Sequence, residues 1–412
     1  MRLLIVGLNF APELTGVGKY SGEMAAWLAA RGHEVTVVTA PPYYPAWDIP
    51  SEYRGRGWHA ETWHGCEVIR CPLYVPARAT GSRRVLHLAS FALGAAPSAV
   101  KAAAIRRPEV VVSIAPALIS SPVALAAARV ARARTWLHVQ DFELDAAFGI
   151  GLLGGSAVRR ASAATERALL RRFDVVSTIS PKMIERLGKK GVAPGRRHLF
   201  PNLVDTDAIR PLAGVSPLRR ELGIADDATV VLYSGSMGEK HGLESVIAAA
   251  RTMASDERSP LFLLSGDGSA RERLVAMASG LPNVRFAALQ PHERLNDLLG
   301  VADIHVLPQR ADVADLVMPS KLGPMLASGR PVVATVTPDS QVGRALAGCG
   351  ITVAPGDAAA LAAAIADLAR APERRRALGV AARSYAVEHL GADRILADME
   401  ARLMALIQSR TS

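Results

Sequence analysis

The sequence contains few cysteines and few aromatic residues, and each shortage excludes a class of protein. Only three of its 412 residues are cysteines, which is too few for a disulfide framework, and none has a partner at the spacing of a zinc site. Aromatic residues make up 5% of the chain and are not interleaved with the basic clusters, as a single-stranded nucleic-acid platform requires. We expect a protein of a reducing compartment with no metal centre and no nucleic-acid partner.

No secretion signal is visible, and the long uncharged run is poorly suited to crossing a membrane. The N-terminus enters an apolar segment at once, with no cleavage site of small residues behind a longer apolar core. Residues 110–128 carry no charge, but Pro116 and Pro122 favour a buried strand, a loop and a helix. A second apolar stretch, residues 85–100, is better suited to lying against a surface than to crossing it.

The charge of the chain is unevenly distributed. Residues 1–200 contain 26 lysines and arginines against 14 aspartates and glutamates, whereas the remaining residues contain 22 against 24. A basic N-terminal half favours an anionic partner: a membrane surface, a phosphorylated substrate or nucleic acid, the last disfavoured by the aromatic content. Arginines that simply cover exposed helices are the alternative explanation.

Apolar strands and amphipathic helices alternate along the chain in two successive series. The first series begins with a strand at residues 3–7, a helix at 21–30 and a strand at 35–39. The second begins with the apolar residues 229–234, after a proline-containing linker. Because such alternation builds parallel sheets, we predict an α/β protein with two Rossmann-like, doubly wound domains that face a central cleft.

The length of the chain predicts roughly two to three domains, because 412 residues exceed one ordinary core, and the two alternating series favour two. We place an N-terminal Rossmann-like domain at residues 1–205 and a C-terminal Rossmann-like domain at 206–389. A final helix at about 390–412 is expected to pack back on the first domain.

Residues 307–334 read as a strand end, a polar loop, a helix and a second buried strand. Ser320 is the predicted N-cap of this helix and Gly329 its end. A helix start with free N–H groups and Lys321 beside them is a ready phosphate site at the carboxyl edge of a sheet. An ordinary capped helix with a solvated lysine is the alternative.

Gly16 and Gly18 follow the first apolar segment and precede the predicted helix at 21–30. Glycines at this point let the backbone approach a ligand closely. They do not form the dinucleotide fingerprint G-x-G-x-x-G, because the next glycine is Gly22. A nicotinamide or flavin cofactor is therefore disfavoured.

His138, Asp141 and Glu143 cluster at the end of another predicted strand, residues 135–141. A lone buried histidine is more often structural, but two neighbouring carboxylates favour a role in acid–base or polar substrate contacts. We therefore predict these three residues as catalytic.

Four stretches stand in the same order as in one known family: residues 9–20, 136–148, 235–243 and 319–334. Together they resemble the retaining nucleotide-sugar glycosyltransferases of the GT-B fold, family 4. The similarity runs essentially end to end and extends to the WcaI-type enzymes of colanic-acid and exopolysaccharide biosynthesis.

The resemblance implies a donor nucleotide on the C-terminal half and an acceptor on the N-terminal half. It implies that the backbone of Gly16 faces the reacting centre, and that His138 contacts the donor sugar or orients the acceptor hydroxyl. It also implies a metal-independent enzyme without a cofactor, whose GDP- or UDP-linked donor is a substrate. The predicted donor-binding residues are Gly16, Gly18, Ser236, Lys240, Gly266, Asp267, Ser320 and Lys321.

The sequence departs from the family pattern at the donor site. Many members carry two glutamates eight positions apart, where this chain has Leu316 and Pro324. Many also have an arginine where Ser236 stands and a lysine where His241 stands, with Lys240 one place earlier here. Phosphate contacts by Ser320 and Lys321 are the expected substitute.

We expect a retaining glycosyltransferase that moves a sugar from a GDP- or UDP-sugar to a lipid-linked or polysaccharide-repeat acceptor. The expected location is the cytoplasm, peripherally on the inner face of the cytoplasmic membrane, with the basic half on the anionic leaflet. The alternatives are a nucleotide-sugar epimerase of the same fold and an inactive carbohydrate- or nucleotide-binding protein. The sequence predicts no oligomeric state.

Overall fold

The chain forms two compact units, each built on its own sheet. The computed structural model describes residues 1–13, 16–77, 81–115, 118–142, 156–256, 258–310 and 319–409. The first unit comprises Met1–Pro201 with Ile395–Ser412, and the second comprises Asn202–Arg394.

The first unit contains an eight-stranded sheet with the strand order β3-β4-β2-β1-β5-β6-β7-β8. All of its pairs are parallel except the β3–β4 hairpin. Its central strands are continuous runs of buried residues, as expected for a sheet covered on both faces. The strands are β1 Arg2–Gly7, β2 Glu34–Thr39, β3 His59–Trp63, β4 Cys66–Arg70, β5 Val110–Ala115, β6 Arg134–Val139, β7 Val175–Thr178 and β8 Arg197–Leu199.

Six helices in the described part of the chain belong wholly or partly to this unit. The last of them begins in the second unit and returns to the first, where Glu400 accepts hydrogen bonds from Arg31. The helices are α1 Gly16–Ala30, α2 Gly81–Arg106, α3 Ser121–Ala131, α4 Ser156–Leu170, α5 Pro181–Lys189 and, at the C-terminal end, α14 Ala392–Gln408.

The second unit contains a six-stranded, all-parallel sheet with the strand order β11-β10-β9-β12-β13-β14. Apolar clusters cover both faces of this sheet. The strands are β9 Val230–Ser234, β10 Leu261–Ser265, β11 Val284–Ala287, β12 Ile304–Pro308, β13 Val332–Thr335 and β14 Gly350–Val353. The helices are α6 Pro217–Glu221, α7 Glu244–Met253, α8 Arg271–Met277, α9 Leu295–Gly300, α10 Leu322–Ala327, α11 Gln341–Leu346, α12 Ala358–Arg370 and α13 Pro372–Leu390.

The predicted fold class is confirmed, since both units are α/β with doubly wound parallel sheets. Two local predictions need correction. The helix predicted at residues 21–30 begins five residues earlier, so Gly16 and Gly18 lie in its first turn and not in a loop. Strands β3, β4 and β8 were not predicted, because none of the three contains more than two consecutive apolar residues.

Candidate active site

The carboxyl edge of the second sheet has the geometry of a ligand site. The chain runs outward from β9 through β10 and β11, and then returns to β12 on the other side of β9. In open α/β sheets, ligands bind beyond the carboxyl ends of the strands where the strand order reverses in this way. The loops that follow β9 and β12 are therefore the expected ligand-binding elements of this unit.

Glycines hold the loop after β10 tightly against the loop after β9. A Cβ atom on Gly266 would lie 1.9 Å from the backbone oxygen of Gly235, and one on Gly268 would lie 2.7 Å from that of Met237. The Met237 N–H donates a 2.7 Å hydrogen bond to the backbone oxygen of Asp267. A side chain at Gly266 would therefore separate the two loops, so this predicted donor-binding residue shapes the edge of the sheet.

Lys321 places a positive charge at the end of β9. Its Nζ donates a 2.8 Å hydrogen bond to the hydroxyl of Tyr233 and lies 4.2 Å from the centroid of that ring. The Tyr233 hydroxyl donates in turn to the backbone oxygen of Ser236, and burial raises the pKa of Tyr233. The phenol is therefore neutral and its oxygen accepts from the ammonium group.

Gly235 leaves room for the Lys321 ammonium group. Its φ is +123°, and a Cβ atom there would lie 3.1 Å from Lys321 Nζ. A larger residue would be strained in this backbone conformation and would press on the lysine. The cation and the glycine backbone thus form one local arrangement at the point where the strand order reverses.

The prediction that Ser320 caps a helix is wrong. The Leu322 N–H donates to the Pro319 oxygen at 3.1 Å, so residues 319–322 form a turn, and α10 begins at Leu322 with Lys321 as its N-cap. Ser320 is exposed, and no side chain of the described residues caps this helix. Because α10 has only six residues, the positive charge at this point comes from Lys321 and not from a helix dipole.

Two further predicted donor-binding residues are exposed in the same loops. Ser236 follows Gly235 directly, and Asp267 follows β10. The Oδ1 atom of Asp267 accepts a 2.8 Å hydrogen bond from the N–H of Gly268, which fixes its carboxylate against its own turn. Both side chains lie at the carboxyl edge of the sheet, and their role in donor binding stays a prediction.

Lys240 lies in a 3-10 turn, Glu239–His241, of the loop after β9. The position of its side chain is outside the part of the chain that the structure describes. Gly242 ends this turn with a φ of +68°, and a Cβ atom there would lie 3.4 Å from Cγ of Arg310. Arg310 is therefore a second cationic residue beside these loops, which the sequence analysis did not identify.

The first sheet has a corresponding reversal of strand order at β1 and β5. Gly16 opens α1 beyond β1 with a φ of +64°, and Gly18 is buried in the first turn. A Cβ atom on Gly18 would lie 2.4 Å from Oε2 of Glu13. The structure therefore explains Gly18 by close packing against a carboxylate. The predicted role of the Gly16 backbone at the reacting centre stays a prediction.

Glu13 is a buried carboxylate beside this reversal point. Its Oε1 accepts the N–H groups of Tyr43 and Tyr44 at 3.2 and 3.1 Å, and its Oε2 accepts from Asn9 at 3.0 Å. Burial raises the pKa of Glu13, although these hydrogen bonds and the charge of Arg70 oppose the rise. Glu13 thus joins the loop after β1 to the loop after β2.

His138 lies near the end of β6, opposite Ser177 on β7, and is 2% exposed. Its Nδ1 lies 2.9 Å from Ser177 Oγ, and its Nε2 lies 2.9 Å from the Gln140 amide nitrogen. Burial and the charge of His198 lower the pKa of His138 to about 3. A neutral ring that donates from Nδ1 and accepts at Nε2 fits these contacts. With this pKa the imidazole carries no charge at neutral pH.

Asp141 lies two residues beyond the end of β6 and is partly exposed. Glu143 lies outside the described residues. The predicted catalytic cluster of His138, Asp141 and Glu143 therefore stays a prediction, with its histidine buried and its first carboxylate at the carboxyl edge of the sheet.

The three cysteines are buried, and burial raises the pKa of each thiol to about 11. Within the described ranges, no group of three or more His, Cys, Asp or Glu side chains could hold a metal ion. The Asp-x-Asp triplet at residues 205–207 forms a turn in which Asp205 Oδ1 accepts the N–H groups of Asp207 and Ala208.

Tyr233 and Glu13 contribute to these two edges, and sequence reasoning did not single them out as site residues. Tyr233 reads as a core residue of an apolar strand, and only its hydroxyl at the strand end indicates a polar role. Glu13 carries a clearer signal, because it is a charged residue just beyond the carboxyl end of a buried strand, where sites of α/β proteins lie.

Comparison with known proteins shows that the sequence of each unit matches a known domain family. The glycosyl transferase 4-like domain matches residues 15–203, and the glycosyl transferases group 1 domain matches residues 228–371. The chain is 39% identical to the colanic acid biosynthesis glycosyl transferase WcaI of Escherichia coli K12, over 96% of this chain and 98% of that protein.

Solved structures share the fold at low sequence identity. The sucrose-phosphate synthase of Thermosynechococcus elongatus aligns with a TM-score of 0.74 and 19% identity, over 99% of both chains. The HepE protein of Anabaena in complex with UDP-glucose aligns with a TM-score of 0.69 and 16% identity, over 98% of this chain and 100% of that one.

Proposed function

Because the chain belongs to the GT-B glycosyltransferases that join a glycosyl transferase 4-like domain to a group 1 domain, we propose that its donor is a GDP- or UDP-sugar. The acceptor is a lipid-linked sugar or a polysaccharide repeat. Transfer retains the anomeric configuration and needs neither a metal ion nor a cofactor. The similarity to a protein named for colanic acid biosynthesis supports an acceptor in exopolysaccharide synthesis.

The observation that carries this proposal is the position of Lys321 over Gly235 at the end of β9. Departure of a nucleoside diphosphate develops negative charge on the leaving oxygen. A cation already held by the ring and hydroxyl of Tyr233 stabilises this charge without first being reorganised. The glycine backbone beside it allows close approach of the diphosphate.

The buried His138 suits a polar contact better than a proton transfer. A ring with a pKa of about 3 stays neutral at physiological pH, so it donates or accepts hydrogen bonds without carrying charge. We assign no enzymic nucleophile. In the proposed mechanism the leaving phosphate itself takes the acceptor proton on the same face of the sugar, which yields retention.

Nucleotide titration of the full chain tests the donor site. Wild type, Lys321→Met and Lys321→Arg are titrated calorimetrically with GDP, UDP and their mannose, glucose and N-acetylglucosamine conjugates. Loss of one charge-assisted hydrogen bond predicts roughly 10- to 100-fold weaker binding in Lys321→Met and partial recovery in Lys321→Arg. Lys189→Ala, an exposed site in the first unit, is the control and should bind normally.

Two outcomes would contradict the proposal. If no nucleotide or nucleotide sugar binds, Lys321 is only a structural residue and the chain is not a donor-dependent transferase. If a nucleotide sugar binds and is epimerised without an acceptor, the epimerase alternative replaces transfer. Turnover in excess EDTA tests metal independence, and the anomeric coupling constant of the product, measured by NMR, tests retention.

A further inference from the structure

Helix α2 is apolar on both of its faces, although only one face is covered. Its buried stripe consists of His87, Phe91, Ala95 and Ala99, which recur every four residues. Phe91, Ala95 and Ala99 share an apolar cluster with residues of β1 and α3, which packs beside α2. This stripe fixes α2 to the first unit and defines which face points away from it.

The face opposite this stripe is also apolar. Leu86 and Leu93 are seven residues, or about two turns, apart and are 56% and 77% exposed. Val100 continues the same line one heptad later and is half-buried. A surface helix normally carries polar residues here, so an apolar outward face indicates an interaction surface.

Trp58 adds an exposed aromatic ring to α2 at Gly94, the residue after Leu93. It is 58% exposed, and its Nε1 donates a 2.8 Å hydrogen bond to the backbone oxygen of Gly94. The indole is therefore fixed against the helix with much of its ring uncovered. Tryptophan is enriched at membrane–water interfaces, where an apolar ring with one polar atom is stable.

The charged side chains of α2 itself are all basic. Helix α2 contains no aspartate or glutamate, and Arg83 and Lys101 are exposed along one edge of the apolar face. The excess of lysine and arginine in residues 1–200 has the same sign. Basic residues along one edge of the apolar side chains complement an anionic lipid surface, whereas a neutral protein partner would not require them.

We propose that the outward face of α2, with Trp58, docks on the surface of an anionic lipid bilayer. Among the described helices, α2 is the one whose length and composition would suffice to cross a membrane, and 28% of its apolar stretch is buried in the protein. Because its inner stripe packs in the first unit, α2 lies along the interface and does not span the bilayer. The proposal does not depend on the transferase activity.

Flotation of the full chain with lipid vesicles tests the docking surface. Vesicles of phosphatidylcholine alone and with 30 mol% phosphatidylglycerol are used at low and high salt, without donor or acceptor. We expect binding to anionic vesicles that weakens at high salt. Leu86→Gln/Leu93→Gln should lower the bound-to-free ratio at least tenfold, because both exposed leucines would leave the interface. Leu289→Gln, a 64% exposed leucine of the second unit, is the control and should bind like wild type.

Fluorescence gives a second readout that does not require the leucine variants. Brominated lipid should quench part of the tryptophan emission of wild type, and this part should be missing in Trp58→Phe. The proposal is overturned if wild type does not float with anionic vesicles at low salt. It is also overturned if the double variant floats unchanged, which would indicate purely electrostatic binding elsewhere. A dimer that the double variant converts to a monomer, with no loss of lipid binding, would assign this face to a second copy of the chain.

Discussion

The carboxylate of Glu13 holds the backbone of Tyr44 by a 3.1 Å hydrogen bond across 31 residues of sequence. The same oxygen accepts the N–H of Tyr43, and the other carboxylate oxygen accepts from Asn9. The loop after β2 is thereby attached to the loop after β1, where the strand order of the first sheet reverses. In the proposed enzyme this edge belongs to the acceptor-binding half.

Glu13→Ala should lower the free energy of unfolding by about 2–3 kcal/mol, because it leaves the buried N–H of Tyr43 and the part-buried N–H of Tyr44 without their acceptor. Glu13→Gln should recover most of this loss, because its amide oxygen still accepts from Tyr43 and Tyr44. Urea unfolding of the full chain measures both. Equal losses in the two variants would show that charge, and not hydrogen bonding, is the contribution of this residue.

Removing the Tyr233 hydroxyl should weaken nucleotide binding by roughly 3- to 10-fold, because Lys321 loses one hydrogen bond and keeps the aromatic face. Gly235→Ala should weaken it more, since the new methyl group meets the lysine in a strained backbone. Gly214→Ala, at an open surface site, is the matched control. Calorimetric titration measures the nucleotide affinity of each variant. An unchanged affinity in Tyr233→Phe would show that Tyr233 is not part of the donor site.

The buried parallel strands were predictable from the sequence because both of their faces are covered. Residues 3–7 and 230–233 are continuous apolar runs, which identify such strands without any long-range information. The hairpin of β3 and β4 has no such run, since His59 and Glu61 stand among its residues. Its formation depends on pairing with β2, which local sequence does not encode.

The site was predictable only where its signal is local. Lys321 was identified because it follows Pro319 and Ser320 before an apolar helix, although the cap itself was assigned to the wrong residue. Its partner Tyr233 stands 88 positions earlier, and no local pattern links the two. The burial of His138 likewise depends on Ser177 of the neighbouring strand.

Glu400 attaches the middle of α14 to the first unit through Arg31, whose Nε lies 2.9 Å from both carboxylate oxygens, and through His33. The hydrogen bond from Arg31 lowers the pKa of Glu400, and the hydrogen bond from His33 lowers it further. Burial acts in the opposite direction but is outweighed. A carboxylate with a lowered pKa stabilises the fold above pH 4.5 and loses this effect as the pH falls below it. Glu400→Gln should therefore reduce stability by about 1–2 kcal/mol at pH 7 and less at pH 4. Glu388→Gln, at an exposed position, is the control for thermal unfolding at both pH values, and equal losses in the two variants would contradict the anchor.

His305 should make the protein less stable in mild acid. It is buried in β12 with Nε2 at 3.0 Å from Ser328 Oγ, and burial, with the charge of Arg330, lowers its pKa to about 3. The unfolded chain takes up a proton near pH 6.5, whereas the folded chain does so only near pH 3. Stability from this residue is therefore complete above pH 6.5 and falls as the pH drops toward 3.

Near pH 5 this ring holds about one more proton in the unfolded state than in the folded state. The difference adds about 1.4 kcal/mol per pH unit to the fall of the unfolding free energy. His305→Gln keeps a donor and acceptor for Ser328 but cannot titrate, so its unfolding free energy should fall less steeply between pH 7 and pH 5. Ser328→Ala removes the hydrogen bond and keeps the buried histidine, so it should lower stability at both pH values with the wild-type slope. Urea titrations at pH 7, 6 and 5 compare the three proteins. A wild-type slope in His305→Gln would mean that His305 does not control the acid response.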